Sequence, residues 1–177
     1  MKNRLSLVDF VLFNICWGAN VLSSLYSLFF LGPIVVALSV ILHLILIDGE
    51  WTELGFLIVL STIGYLWDTV ISGFGIIGFP GIESAALAPF WLFAQWVAFG
   101  LLFRHSIRWL RQRHLLAGLF GALGGPLSYY SAARLNVLTL GSPLWQSLLV
   151  MALGWSLIVP TFGKFSEYCE RIQSRIT

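Results

Sequence analysis

Charged residues are scarce in this sequence, since Asp, Glu, Lys and Arg together make up 10% of its 177 residues. Water-soluble domains carry about 25% charged residues, so a soluble globule, a disordered chain and a coiled coil are excluded. The two cysteines are too few for a disulfide framework, and a net charge of +2 is too small for a nucleic-acid-binding surface. Apolar residues, by contrast, reach 58%. This excess predicts an integral membrane protein.

Motifs that carry nucleotide or catalytic chemistry are also missing. The sequence contains no Walker A loop, no G-x-S-x-G, no H-E-x-x-H and no C-x-x-C. Residues 73–78 read GFGIIG, but this match to G-x-G-x-x-G lacks the acidic residue about 20 positions later that a dinucleotide site needs. We interpret residues 73–81 as an outer loop. The three histidines lack a zinc-ligand spacing, and we expect neither a metal, a cofactor nor an ATPase activity of the chain's own.

Three long apolar blocks, each with a turn signal near its middle, predict six transmembrane helices. A helix needs about 20 apolar residues to cross the bilayer core, and each block is long enough for two crossings. We therefore predict an all-α, polytopic helical bundle that forms a single membrane domain over residues 1–177. Its spans are expected near 7–26, 28–47, 54–72, 86–103, 115–134 and 144–163.

Lysine and arginine are distributed unevenly between the two ends of these spans. Nine of the ten basic residues lie at the end that both termini share, and only Arg134 lies at the other. The positive-inside rule places the basic end in the cytoplasm. We therefore predict that the N and C termini are both cytoplasmic.

A basic segment follows the fourth predicted span. Arg104, Arg108 and Arg111 recur at i, i+4 and i+7, with His105 and Trp109 between them. The spacing predicts a short helix at the cytoplasmic interface. We call Arg104, His105, Arg108 and Arg111 the basic collar and interpret it as a topology anchor on anionic lipid head groups, with a specific phosphate site as the alternative.

Polar side chains inside the predicted spans separate by depth. At ~1.5 Å per residue, Asp68 and Arg134 both lie towards the outer face, with Asn20 and Tyr129 not far below. We call these four residues the outer cluster. Ionisable groups in the hydrocarbon need a partner or a function, so the outer cluster is either a structural Asp68–Arg134 ion pair or a ligand-binding pocket.

A second polar layer lies near the cytoplasmic face. Asp9, His43, His105 and Arg108 all fall within about two helical turns of it. We interpret His43 as a packed, hydrogen-bonded histidine rather than a ligand-binding one.

The predicted fifth span is rich in small residues. Gly121 and Gly125 form G-x-x-x-G, with Gly124 between them, and this pattern permits close approach of another helix. Pro126 removes a backbone donor and predicts a kink or break. Such a helix either packs closely, including against a second copy of the chain, or exposes backbone groups to a substrate.

Residues 103–135, FRHSIRWLRQRHLLAGLFGALGGPLSYYSAARL, resemble the signature of the domain of unknown function 2878 family of small bacterial membrane proteins. Supporting segments are NICWGAN (14–20), LGP (31–33), GYLWD (64–68), APFWLFAQW (88–96), PLW (143–145) and GWSLIVP (154–160). The residues that match the family pattern are Trp17, Asp68, His105, Ser106, Trp109, Gly124, Gly125, Pro126, Ser128, Tyr129 and Arg134. At Asn136 the sequence departs from the small residue expected there. The resemblance implies a multi-pass protein of the bacterial inner membrane and implies no particular activity.

We expect the chain to bind or transport a small amphiphile or lipid. The alternatives are an intramembrane lipid-modifying enzyme, using Asp68, His105, Ser106, Tyr129 or Arg134, and a structural subunit of a membrane complex. The enzyme alternative is weakened because residues 105 and 106 lie low while residues 68 and 134 lie high. Expected partners are membrane lipids, a small amphiphilic ligand, and a second copy of the chain or a membrane partner protein, but no nucleic acid.

Overall fold

A computed structural model describes residues 2–46, 51–81, 87–104 and 106–175. This part of the chain contains six α-helices, which confirms the predicted all-α class. They are α1 (Lys2–Leu25), α2 (Leu31–Leu46), α3 (Trp51–Gly73), α4 (Phe90–Arg104), α5 (His114–Arg134) and α6 (Leu144–Gln173). A 3₁₀-helix, η1 (Arg108–Leu110), lies between α4 and α5.

Three of the helices are long and apolar enough to cross a membrane, over Ser6–Leu25, Glu53–Gly73 and Leu144–Gln173. Leu31–Leu46 and Phe90–Phe103 are shorter apolar helices. Large apolar side chains on several helices, such as those of Ile34 and Leu157, are more than half exposed. Helices of this length and an apolar outer surface are typical of a membrane protein.

The sixth helix continues ten residues beyond its predicted end at residue 163. Over this continuation Ser166 and Cys169 are buried while Arg171 is exposed, and Glu170 forms an ion pair with Arg111. The extension is therefore held by one packed face and by an ion pair. An average of hydrophobicity along the sequence detects neither.

Helix α4 lies at the centre of the bundle and packs against α1, α2, α3 and α6, whereas α5 packs chiefly on α6. The contact between α4 and α6 is aromatic. The Trp96 and Trp155 rings stack with centroids 4.9 Å apart, and Phe99 meets Trp155 edge-on at 5.2 Å. Aromatic pairs of this geometry contribute beyond the burial of their area, so they fix α6 against the central helix.

Small residues on α5 let α6 approach closely. A Cβ atom at Gly121 would lie 2.1 Å from the carbonyl oxygen of Trp155, and one at Gly125 would lie 2.3 Å from the Trp155 ring. The G-x-x-x-G pair therefore packs two helices of the same chain together. Association of copies stays a prediction, and it would use a surface other than this pair.

Helix α5 continues without interruption through Pro126. Of the predicted kink or break at this proline, the break is therefore wrong, and the kink stays a prediction. Membrane helices tolerate proline where neighbouring helices hold the backbone, and here one face of α5 is buried, with Gly125 before the proline and Tyr129 after it.

Two short strands join the loops at one end of the bundle. β1 (Ile77–Gly78) pairs antiparallel with β2 (Thr139–Leu140), and Ile77 is buried. Residues 73–78 thus run from the end of α3 into β1. A dinucleotide site would instead need them in the turn from a strand into a helix.

Candidate functional site

A cavity of about 390 Å³ opens between α1 and α5, with α4 and α6 as its floor. We call it the aromatic groove, because its walls include Phe13, Trp17, Trp96, Phe99, Phe120 and Trp155. On α5 its lining runs from Phe120 to Ala132, a rise of ~18 Å. The aromatic groove is therefore long, and most of its surface is apolar.

Asp68 of α3 lies in the wall of the aromatic groove and is itself fully buried. Trp96 Nε1 donates a hydrogen bond to its Oδ2 at 2.7 Å, and the Tyr129 hydroxyl donates to its Oδ1. Both donors are neutral, so within the described part of the chain this carboxylate is held by hydrogen bonds rather than by an ion pair. Three helices, α3, α4 and α5, meet at it.

The structure brings the predicted outer cluster together only in part. Tyr129 contacts Asp68 directly. Asn20 Nδ2 donates to Gln95 Oε1 at 2.9 Å, and Gln95 in turn lines the aromatic groove. Arg134 is exposed at the end of α5 and does not reach Asp68.

Of the two alternatives for the outer cluster, the ion pair between Asp68 and Arg134 is therefore wrong. The two residues share a similar depth along their helices, but depth does not fix the direction of a side chain. Arg134 lies five residues after Tyr129, which turns its side chain by ~140° about the helix axis, at 3.6 residues per turn. Because Tyr129 faces Asp68, Arg134 points away from it.

A separate charged cluster joins α1, α2 and α3. His43 Nδ1 lies 2.7 Å from Asp9 Oδ1, and His43 Nε2 lies 3.6 Å from Glu53 Oε1. Each of the three side chains is at most 2% exposed. His43 is thus a packed histidine between two carboxylates, in keeping with its interpretation from the sequence.

We expect His43→Ala to lower the free energy of unfolding by about 3–5 kcal/mol, because removing one member of a buried charged network leaves the others poorly compensated. Thermal unfolding of the purified protein in detergent measures the change. His114→Ala replaces an exposed histidine at the start of α5 and should leave the transition where it is. Equal shifts in both variants would contradict a stabilising role for the buried cluster.

A second cavity, of about 760 Å³, lies beside η1 and the end of α6. We call it the polar basin, since its walls include Ser6, Ser106, Arg108, Arg111, Glu170 and Arg171. Arg111 is buried, and its Nη1 lies 2.8 Å from Glu170 Oε1. Its Nε also donates to the Phe103 carbonyl oxygen at 2.9 Å.

The predicted basic collar does not form a single helical face. Helix α4 ends at Arg104, and η1 begins only at Arg108. Arg111 is turned into the protein, whereas the Arg108 side chain is 51% exposed. His105 and the side chain of Arg104 lie outside the described residues.

The aromatic groove and the polar basin are neighbouring cavities. Ser106 and Trp109 line both cavities, and the Ser106 hydroxyl donates to the Ser6 carbonyl oxygen at 2.6 Å. Trp109 is exposed, and the guanidinium carbon of Arg113 lies over its ring, 5.9 Å from the ring centroid. The apolar aromatic groove thus borders the charged polar basin at Ser106 and Trp109.

Several residues of these sites were not singled out from the sequence. They are Glu53 in the charged cluster, Gln95 and Trp96 at the aromatic groove, and Glu170 in the polar basin. A signal for Trp96 exists in the sequence. A carboxylate in an apolar helix needs donors, and residues 95 and 96 place an amide beside an indole in another apolar helix.

Comparisons with known proteins assign the chain to a family. The family model described as "Protein of unknown function (DUF2878)" matches residues 6–161, so the chain belongs to this family. The match includes every residue of the aromatic groove, and it ends before Glu170 and Arg171 of the polar basin. No curated protein and no solved structure matches the chain.

Proposed function

We propose that this member of the DUF2878 family binds or transports a small amphiphile or lipid in the bacterial inner membrane, without an ATPase of its own. The aromatic groove is the observation that carries this proposal. Binding sites for small molecules are concave, mostly apolar and furnished with a few placed polar groups. The aromatic groove has this composition, with Asp68, Gln95 and Ser128 among its apolar walls.

The proposal includes a bundle in which all six helices cross the membrane and both termini are cytoplasmic. Arg108, Arg111 and Arg171 gather at one end of the bundle, while Arg134 lies at the opposite end of α5. This asymmetry supports the orientation through the positive-inside rule. Helix α4, with 15 residues, is short for a crossing of about 20, but its central position shields it from lipid on most sides.

The observed contacts favour binding over the enzyme alternative. The Ser106 hydroxyl donates to a backbone carbonyl at the polar basin, whereas the Asp68 carboxylate accepts from Trp96 and Tyr129. A nucleophile needs a base within hydrogen-bond reach. Among the described residues, Ser106 and Asp68 do not form such a pair.

We expect Asp68→Asn to fold but to lose a ligand that co-purifies with the wild-type protein. An amide can still accept from Trp96 Nε1 and can donate to the Tyr129 oxygen, so the local hydrogen bonds survive while the carboxylate is lost. Native mass spectrometry with lipidomics, on protein purified in mild detergent, detects the ligand and gives its mass. Thermal unfolding reports whether the fold is kept.

Tyr129→Phe and Tyr130→Phe form a matched pair for this experiment. Tyr129 is buried against Asp68, while its neighbour Tyr130 is exposed. Only the first substitution should reduce the amount of bound ligand. A wild-type protein that carries no small molecule, together with an Asp68→Asn variant that is merely unstable, would contradict the proposal and favour a structural role.

A further inference from the structure

The aromatic groove and the polar basin are neighbouring cavities that share two lining residues, Ser106 and Trp109, so a molecule that passes these side chains can occupy both. We propose that the ligand is an anionic amphiphile whose phosphate head group binds to Arg108 and Arg171 in the polar basin. This inference rests on the proposed function, since it requires that the apolar part of the ligand binds in the aromatic groove.

The two arginines are placed to contact a ligand. Their side chains are 51% and 76% exposed, and both line the polar basin. Arg108 Nη2 lies 3.3 Å from Glu170, and Arg171 Nη2 lies 3.9 Å from Glu167. A guanidinium carries five N–H donors, so these contacts leave most of the donors available.

The charge of the polar basin favours an anion. Its walls hold three arginines, Arg108, Arg111 and Arg171, against Glu167 and Glu170. Arg111 and Glu170 pair at 2.8 Å, and Arg111 is buried, so a ligand meets Arg108 and Arg171 against Glu167, two positive charges and one negative. The planar guanidinium group matches the oxygens of a phosphate in a bidentate geometry.

The position of the aromatic groove fits the rest of such a molecule. From the shared wall at Ser106 and Trp109, its lining extends along α4 as far as Trp91 and along α5 to Ala132. A chain anchored by its head group in the polar basin would run along this apolar surface between α1 and α5. Head group and chain then each contact a surface of matching polarity.

Two probes that differ only in the phosphate test the assignment. They are 1-oleoyl-lysophosphatidic acid and 1-oleoylglycerol, titrated against the full-length protein in non-ionic detergent and followed by native mass spectrometry. We expect the phosphorylated probe to bind at least about tenfold more tightly, which corresponds to about 1.4 kcal/mol. The double variant Arg108→Gln/Arg171→Gln should remove this preference and leave binding of 1-oleoylglycerol unchanged, which also shows that it is folded.

Arg175→Gln is the matched control, because Arg175 is exposed and lines neither cavity. It should keep the preference. Equal affinities of the two probes for the wild-type protein, or the same loss in Arg175→Gln, would overturn the head-group site. Displacement of the phosphorylated probe by an equal concentration of glycerol 3-phosphate would also overturn it, since the basin would then bind a free phosphate ester. Failure of both probes to bind would instead overturn the proposed function.

Discussion

Gly124→Leu should abolish ligand binding while leaving the protein folded. Gly124 lines the aromatic groove, and a Cβ atom added to it would meet nothing within 4 Å. The first atom of a leucine side chain therefore has open space, and the rest of the side chain would take up space available to a ligand. It should also favour the helix, since glycine is about 1 kcal/mol less favourable than a good helix former in a helix interior.

Gly55→Leu is the control for this experiment. Gly55 is an exposed helical glycine of α3 with nothing within 4 Å of an added Cβ, and it does not line the aromatic groove. Both variants should unfold at or above the wild-type temperature, but only Gly124→Leu should lose the co-purified ligand in native mass spectrometry. Ligand retained at wild-type occupancy in Gly124→Leu would show that it binds elsewhere.

Gly121→Ile, three residues earlier on the same helix, should prevent folding. The added Cβ would lie 2.1 Å from the Trp155 carbonyl oxygen and 2.9 Å from a Val159 methyl carbon. The first of these atoms belongs to the backbone of α6 and cannot rotate away. The loss of stability should therefore exceed the ~1–3 kcal/mol typical of an overpacked core.

Size-exclusion chromatography and thermal unfolding in detergent measure this loss, with Gly124→Leu as the folded reference. A monodisperse Gly121→Ile protein with the wild-type transition temperature would show that α5 and α6 do not depend on their close approach. The predicted collapse also makes Gly121→Ile unsuitable as a probe of association between copies.

The number of helices was predictable because it depends on a one-dimensional quantity, the length of apolar sequence between turns. The features that differ from the sequence-based predictions depend on contacts between residues that are distant in the sequence. Pro126 does not break α5, a helix that packs one face, with Gly125 and Tyr129, against its neighbours. The end of α6 is not set by hydrophobicity, because Glu170 is paired with Arg111.

In the candidate site, too, position along the sequence was predictable and contacts in space were not. Depth alone placed Tyr129 near Asp68, as observed, but depth contains no information on the direction in which a helix turns a side chain. Arg134 was misplaced for this reason. The aromatic groove was not predictable at all, since it depends on α1 and α5 both packing on other helices and leaving space between themselves.

The opening of the aromatic groove between two helices has a consequence for how its occupancy is controlled. In the proposed membrane bundle, a gap between α1 and α5 faces sideways, towards the acyl chains of the surrounding leaflet, rather than towards water. A ligand that enters this way diffuses in two dimensions and never leaves the bilayer. Its effective concentration is then its mole fraction among the lipids, so diluting the membranes in buffer leaves the bound fraction unchanged, whereas adding inert lipid lowers it.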